Sequence, residues 1–312
     1  MKTIFLGTPA LAVPFLEKLR SQSELLAAVT NPDQPAGRGY ERKPSDVKKA
    51  ALRLGLPVLQ PEKARDPVFL STLKELAPEM GVVVAYGKLL PAEVLQIPKY
   101  GFLNVHFSLL PAYRGAAPIQ WTLINGEKET GVTLFWLDPG MDTGPVFSQK
   151  KIAIAEEDDT ESLSRKLVIE GVQLLGAGLD RIARDGRSER PQEGLASKAP
   201  ILTKEQGRID WNQPAQRIVN HIRGMTPWPG AYTALHQAGR EVRIKVLQAR
   251  AAQGSGAEPP GTIVELDRGS GFVIKCGQDR LKVLKVQPEG KKPMSAWDYW
   301  HGARLKLGER IE

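Results

Sequence analysis

The sequence predicts an α/β fold, in which a Rossmann-like, mostly parallel sheet domain is followed by a small OB-like β-barrel domain. In the first two thirds of the 312-residue chain, short apolar runs alternate with helical patterns, as in βαβ units. Near the end, five short strand patterns within about 75 residues are separated by Gly, Pro and Asp, which suits a small barrel. The length itself favours two domains over one.

The elements of the first domain follow from the period of the apolar residues. Runs with a period of two, or wholly apolar runs, predict strands at 2–7, 25–30, 81–86, 101–107, 131–137 and 145–154. Periods near 3.6 predict helices at 10–20, 45–54, 67–76, 116–125 and 160–185. Asp159 or Thr160 can cap the last of these helices. This alternation predicts a sheet with helices on both faces.

A polar segment without a sustained period separates the two parts of the chain. We therefore place the first domain at 1–187, a linker at 188–206 and the second domain at 207–312. In the second domain a helix is predicted at 214–223, and strands are predicted at 231–236, 241–249, 261–266, 271–276 and 280–286.

The net charge of +8 is unevenly distributed along the chain. Residues 1–200 carry 25 Lys and Arg against 24 Asp and Glu, whereas 201–312 carry 18 against 11, a net charge of +7. A basic domain beside a nearly neutral one suggests a polyanionic partner such as nucleic acid. A merely solubilising surface charge is the alternative interpretation.

Composition excludes several classes of protein. A hydrophobic fraction of 41% argues against a disordered or fibrous chain, and no apolar run approaches the roughly 18 residues of a membrane span. The start of the chain lacks the pattern of a signal peptide, so we expect a cytoplasmic protein that does not associate with membranes. Cys276 is the only cysteine and there are four histidines, so we expect no metal site.

The turn after the first predicted strand does not fit a dinucleotide site. Of the fingerprint G-x-G-x-x-G, the segment beginning at Gly7 retains only the first glycine. The sheet is therefore expected to be Rossmann-like without a bound nicotinamide or flavin dinucleotide.

Three polar residues are candidates for chemistry. Within the strand predicted at 101–107, a period of two places Asn104 and His106 on one face, near the carboxyl end where open α/β sheets bind ligands. An amide and an imidazole there could stabilise an oxyanion. Asp142, in the turn-rich loop 137–144, could hydrogen-bond His106. Taken singly, His106 could instead be a satisfied histidine of the sheet, and Asp142 a residue that stabilises a turn.

Longer motifs around these residues carry a resemblance. They are Asn104-x-His106, the run from Ser108 to Pro111, the segment 113–120, Thr130-Gly131-Val132-Thr133 and Asp138-x-Gly140-x-Asp142-Thr143-Gly144. Shorter matches at 7–9, 35–39, 85–91, Trp211 and 227–230 extend the similarity along the whole chain. In this order the motifs resemble those of the folate-dependent formyltransferases.

The resemblance implies transfer of a formyl group from 10-formyltetrahydrofolate to an amine, here the α-amino group of methionine on initiator tRNA. The attacking nucleophile is the substrate amine, so neither a metal nor a covalent enzyme intermediate is implied. Asn104 and His106 would stabilise the oxyanion. Asp142 would orient His106, raise its pKa and help to relay the proton of the amine.

The resemblance also implies the residues that bind the two substrates. Folate is expected against Val84, Ala85, Tyr86, Ser108, Leu109, Leu110, Pro111 and Asp138, the last as part of the loop 138–142. A mobile basic loop at 31–49 would contact the tRNA through Arg38, Arg42 and Lys43, and the basic second domain would bind the tRNA backbone. Four tryptophans, at 211, 228, 297 and 300, could stack on bases or belong to the core. We expect a monomer.

Two other functions remain open at this point. The same three catalytic residues could formylate a small amine, such as a glycinamide ribonucleotide or an amino-sugar nucleotide, although a small acceptor would not need a basic second domain. A non-catalytic RNA-binding protein that retains an enzyme fold is the other alternative.

Overall fold

The computed structural model describes residues 1–36, 41–237 and 240–311, and the chain divides into two compact units. The first unit comprises 1–118, 129–153 and 164–200, and the second comprises 119–128, 154–163 and 201–312. Residues 188–200, which the sequence assigns to a linker, thus belong to the first unit, where their backbone pairs with neighbouring segments. The predicted bounds 1–187 and 207–312 stay predictions.

The first unit is built on a seven-stranded sheet. Its strands are β1 Lys2–Gly7, β2 Glu24–Val29, β5 Val58–Leu59, β6 Met80–Val84, β7 Phe102–His106, β8 Glu129–Trp136 and β9 Val146–Ala153. Their order is β5-β2-β1-β6-β7-β8-β9; the first five strands are parallel and the last two pair antiparallel. A small hairpin pairs β3 Gln34–Ala36 with β4 Glu41–Lys43. The predicted mostly parallel, Rossmann-like sheet is confirmed.

The helices of this part of the chain are α1 Val13–Gln22, α2 Asp46–Arg53, α3 Pro67–Leu76, α4 Ala92–Leu95, α5 Pro118–Ile124 and α6 Thr160–Asp185. Local sequence explains where they begin. The Asp66 carboxylate accepts hydrogen bonds from the backbone at Val68 and Phe69, and Pro67 occupies the first helical position of α3. Strand β6 is buried along its whole length, as expected for a strand covered on both faces.

The second unit contains an antiparallel sheet in the order β10-β11-β14-β13-β12, with β15 paired to β14. These strands are β10 Tyr232–Gln237, β11 Arg240–Ala252, β12 Ile263–Asp267, β13 Gly271–Lys275, β14 Arg280–Pro288 and β15 Met294–Ser295. The helices are α7 Ala215–Met225 and α8 Ala296–Ala303. This curled half-barrel is consistent with the predicted OB-like domain.

The tryptophans of this unit differ in burial. Trp211 and Trp300 are buried, so the expectation that they belong to the core is confirmed. Trp228 is 53% exposed and lies outside the core. In the part of the chain that the structure describes, no helix has both the length and the apolar character needed to cross a membrane.

Candidate active site

The three predicted catalytic side chains line one cavity of about 390 Å³ in the first unit. Asn104 and His106 come from β7, and Asp142 comes from the loop after β8. The cavity lies at the carboxyl ends of β6 and β7, where open α/β sheets bind ligands. The structure therefore brings together residues that are 38 positions apart at most in the sequence.

The two ring nitrogens of His106 have different surroundings. Its Nε2 lies 2.9 Å from the carbonyl oxygen of Tyr113, and because a carbonyl can only accept, Nε2 carries the proton. Its Nδ1 lies 3.7 Å from Asp142 Oδ2, which is too long for the predicted hydrogen bond. That carboxylate oxygen accepts instead from the backbone N–H of Gly115, at 2.7 Å. Nδ1 therefore faces a carboxylate without a direct bond to it.

The expected rise in the pKa of His106 is wrong as a net effect. Burial lowers the pKa of the imidazole below its ordinary value of 6.5, while the Asp142 carboxylate and the Tyr113 carbonyl act in the opposite direction. The contribution of Asp142 thus has the expected sign but is outweighed by burial. The imidazole is neutral at pH 7, and its free Nδ1 is a proton acceptor.

The backbone around the cavity adopts an unusual conformation at three residues. Ala85, Tyr113 and Asp142 have φ angles of 47°, 61° and 55°, in the left-handed region that non-glycine residues rarely occupy. Each such residue costs about 1–3 kcal/mol and persists only where its surroundings fix it. The Tyr113 carbonyl and the Asp142 carboxylate, which face the two nitrogens of His106, both come from such residues.

Only part of the predicted folate set borders this cavity. Ala85, Tyr86 and Asp138 line it, whereas Val84 is buried in β6 and does not. The segment from Ser108 to Pro111 does not line it either, and its role in binding folate stays a prediction. Thr133 Oγ1 donates to the Ser108 carbonyl at 2.6 Å and accepts from the Leu110 N–H at 3.1 Å. The segment thus shapes the turn that leads to Tyr113.

Several lining residues were missed by the sequence analysis as members of the site. They are Val83, Gly87, Lys88, Leu89, Leu90, Val105, Phe107, Gly115, Ala116, Pro118 and Leu137. Gly140 and Met141, which also line the cavity, belong to the loop 138–142 that was expected beside the folate. Leu89 and Met141 are 62% and 58% exposed although both are large and apolar. Exposed apolar side chains at the edge of a cavity are suited to a flat aromatic ligand. Leu89 lies within the quoted motif 85–91, which was the available signal.

The predicted tRNA-binding residues have different outcomes. Arg38 lies outside the described residues. Arg42 and Lys43 are in β4, are exposed, and line a second recess of about 690 Å³ in the first unit. The described parts of this loop include the hairpin β3–β4 and the start of α2. Lys48, in the first turn of α2, forms a salt bridge with Asp33, with its Nζ 2.6 Å from Oδ2.

No three His, Cys, Asp or Glu side chains within residues 1–36, 41–237 and 240–311 lie where they could hold a metal ion together.

The buried imidazole makes the stability of the fold depend on pH. Above pH 6.5 the folded and unfolded chains both carry a neutral His106; below it, the unfolded chain takes up a proton that the buried ring resists. We expect the free energy of unfolding to fall as the pH decreases below 6.5, and His106→Asn to weaken that fall. Denaturant titrations between pH 5 and 8 measure it. His221, whose pKa is also lowered mainly by burial, leaves a residual slope. Identical slopes in both proteins would contradict the prediction.

Comparison with known proteins gives consistent results over both units. Residues 1–177 match the family described as formyl transferase, and residues 201–304 match the formyl transferase C-terminal domain. The chain is 45% identical to methionyl-tRNA formyltransferase of Thermodesulfovibrio yellowstonii over 98% of its length and 97% of that protein. It is 43% identical to the methionyl-tRNA formyltransferase of Thermus thermophilus, over 100% and 99% of the two chains.

A similarity of fold alone is found with a solved structure. HypX from Aquifex aeolicus, in complex with tetrahydrofolic acid, is 17% identical, with a TM-score of 0.65. The match covers 99% of the present chain and 48% of HypX, so this chain spans about half the length of that protein.

Proposed function

Because the chain belongs to the formyl transferase family, we propose that it transfers the formyl group of 10-formyltetrahydrofolate to the α-amino group of methionine on initiator tRNA. The full-length similarity to proteins named for this activity supports the choice of acceptor. The observation that carries the chemistry is the convergence of Asn104, His106 and Asp142 on one cavity. A carbonyl carbon placed there has an amide donor and a proton acceptor beside it.

The reaction needs no nucleophile from the protein. The free amine of the aminoacyl group attacks the formyl carbon, a carbon–nitrogen bond forms, and the formyl oxygen becomes an oxyanion. In the described part of the chain the side-chain amide of Asn104 makes no hydrogen bond to other protein groups. Its two N–H groups are therefore available to this oxyanion. His106 was expected to donate here as well, but its only N–H already bonds the Tyr113 carbonyl.

We assign His106 the role of proton acceptor. Its Nδ1 can take the proton that the amine loses during attack, and the Asp142 carboxylate at 3.7 Å stabilises the resulting imidazolium. When the tetrahedral species collapses, the bond between the formyl carbon and the folate nitrogen breaks, and the same proton can pass to that nitrogen. The atoms and charges balance without a metal ion or a covalent enzyme intermediate.

The position of the two substrates is part of the proposal. Ala85, Tyr86 and Asp138, together with the apolar rim of Leu89 and Met141, would hold the folate. The net charge of +7 on residues 201–312 would bind the phosphate backbone of the tRNA. We further propose that the protein acts as a monomer in the cytoplasm; sedimentation at micromolar concentration tests the monomer.

The test is an acceptor comparison with labelled 10-formyltetrahydrofolate. Initiator Met-tRNA is the expected acceptor, and free methionine, a glycinamide ribonucleotide and an amino-sugar nucleotide are the competitors. No transfer to Met-tRNA would contradict the proposal. Transfer only to a small amine would favour the first alternative, and tRNA binding without transfer to any acceptor would favour a non-catalytic RNA-binding protein.

Arg42 and Lys43 offer a test of tRNA contact in the first unit. We expect the double variant Arg42→Glu, Lys43→Glu to raise the KM for Met-tRNA roughly tenfold or more, with kcat little changed, because phosphate contacts contribute to binding before the chemical step. The dependence of log KM on log salt should also become shallower. The double variant Arg20→Glu, Lys74→Glu, at exposed positions in α1 and α3, changes the charge by the same amount and is the matched control. An unchanged KM and salt slope would remove these residues from the tRNA interface.

A further inference from the structure

A segment that the sequence predicts as part of the linker contacts the two loops that carry Tyr113 and Asp142. We call residues 190–199 the strap. Arg190 exchanges two backbone hydrogen bonds with Val146, at 2.8 and 2.9 Å. Further along, Arg114 N–H donates to the Ser197 carbonyl at 2.8 Å, and Ala199 N–H donates to the Arg114 carbonyl at 2.7 Å. The strap is therefore an ordered part of the first unit.

Gln192 makes the most extensive contacts of the strap. Its Nε2 donates to the carbonyl oxygens of Asp142 and Gly144, both at 2.8 Å. Its Oε1 accepts from the Arg114 guanidinium, at 2.7 Å from Nη2 and 3.2 Å from Nε. Both hydrogens of the amide and its oxygen are thus used, which fixes the orientation of the side chain.

The strap contacts Asp142 and Tyr113, the two residues that face the ring nitrogens of His106. Gln192 binds the backbone of Asp142, whose carboxylate faces Nδ1. Ser197 Oγ accepts from the N–H of Tyr113 at 2.8 Å, and the carbonyl of Tyr113 accepts from Nε2. Both Asp142 and Tyr113 have left-handed backbones, which persist only where surrounding contacts fix them. The strap supplies such contacts on both sides of the imidazole.

We propose that Gln192 is a positioning residue that holds the Asp142 carboxylate at its working distance from His106 Nδ1. Without the two bonds from Nε2, the loop 142–144 loses its link to the strap, and the left-handed backbone of Asp142 can relax. A carboxylate that moves away stabilises the imidazolium less. In the described structure Asp142 is the only charged group that acts on His106, beside the Tyr113 carbonyl and the edge of the Phe135 ring.

The test variant is Gln192→Met, which keeps the length of the side chain and adds no charge but removes the donor. We expect kcat to fall roughly tenfold to hundredfold, as for a small misplacement of a catalytic group, with the KM for Met-tRNA and for folate changed much less. Glu193→Gln, at the exposed neighbouring position, is the matched control. The kinetic measurement rests on the proposed function, formyl transfer to Met-tRNA.

A second measurement needs no substrate. An NMR titration of the His106 ring, assigned with His106→Asn, should give a lower pKa in Gln192→Met than in the unmodified protein, because the Asp142 carboxylate no longer acts at short range. Gln192→Asn keeps the amide but is one methylene shorter, and the pKa of His106 should fall by less in this variant. It replaces Gln192→Met in the titration if the methionine variant does not fold.

The outcomes separate the two hypotheses. A lower melting temperature with an unchanged His106 pKa and an unchanged pH–rate profile would show a merely structural role and overturn the proposal. If the unmodified protein does not formylate Met-tRNA, the proposed function fails, while the titration still decides the role of Gln192.

Discussion

Replacing Asp142 with asparagine is expected to lower kcat roughly 10²–10³-fold while leaving folate binding close to that of the unmodified protein. Asparagine has the same shape, and its oxygen can still accept the Gly115 N–H that Asp142 Oδ2 accepts at 2.7 Å. The loop can therefore keep its conformation. What is lost is the negative charge 3.7 Å from His106 Nδ1, which stabilises the imidazolium.

The nature of the replacement group strengthens this expectation. The amide oxygen that keeps the Gly115 bond takes the place of Oδ2 and faces Nδ1 without a full negative charge, so the proton acceptor loses its electrostatic support. Burial already lowers the pKa of His106, and loss of the carboxylate leaves that effect unopposed except by the Tyr113 carbonyl. Turnover should therefore suffer much more than binding.

Single-turnover formyl transfer at saturating folate and tRNA measures the effect, and a direct folate titration measures binding. Asp180→Asn, an exposed carboxylate of α6, controls for the loss of one charge. Weak folate binding together with normal turnover at saturation would mean that Asp142 binds folate and does not assist proton transfer.

The sequence predicts this fold well where a local signal decides the structure. The predicted helix 67–76 has the bounds of α3, because Asp66 and Pro67 fix its start. The apolar run in β6 identifies a strand buried on both faces. Helix α8 was missed because its eight residues include two tryptophans, a tyrosine and a glycine, which favour helix only weakly. The hairpin β3–β4 has strands of three residues and gives no period at all.

The sequence likewise predicts some features of the candidate site and not others. Alternation along β7 was enough to place Asn104 and His106 at one cavity. The pKa of His106 could not be predicted, because its burial depends on packing that the strand alone does not reveal. Gln192 gave no signal either: it lies in an irregular segment and bonds Asp142, 50 positions earlier in the chain. The place of Ser108 to Pro111 beside the folate rests on motif resemblance and stays a prediction; in the structure their hydrogen bonds shape a turn.

Replacing Asn104 with aspartate is expected to lower kcat at neutral pH by at least about 10²–10³-fold, the loss typical of removing one oxyanion donor. The variant keeps the volume of the side chain but turns the N–H donor into a carboxylate oxygen. Because negative charge develops on the formyl oxygen during attack, a second negative charge beside it should raise the barrier further. Asn104→Ala, which removes the donor without adding charge, is the comparison and should be less impaired.

The pH dependence of the two variants separates their causes. In Asn104→Asp, acidification protonates the new carboxyl and restores an O–H donor, so the rate relative to that of the unmodified protein should rise as the pH falls. In Asp142→Asn no such relative recovery is expected, because the new amide does not titrate, and protonation of His106 at low pH removes the proton acceptor in all of these proteins. Single-turnover rates between pH 5.5 and 8.5 give both profiles. A rate ratio to the unmodified protein that rises at low pH for Asn104→Asp but not for Asp142→Asn would mean that Asn104 binds the oxyanion and that Asp142 acts through His106. A kcat for Asn104→Asp within threefold of the unmodified value at neutral pH would exclude Asn104 as the oxyanion donor.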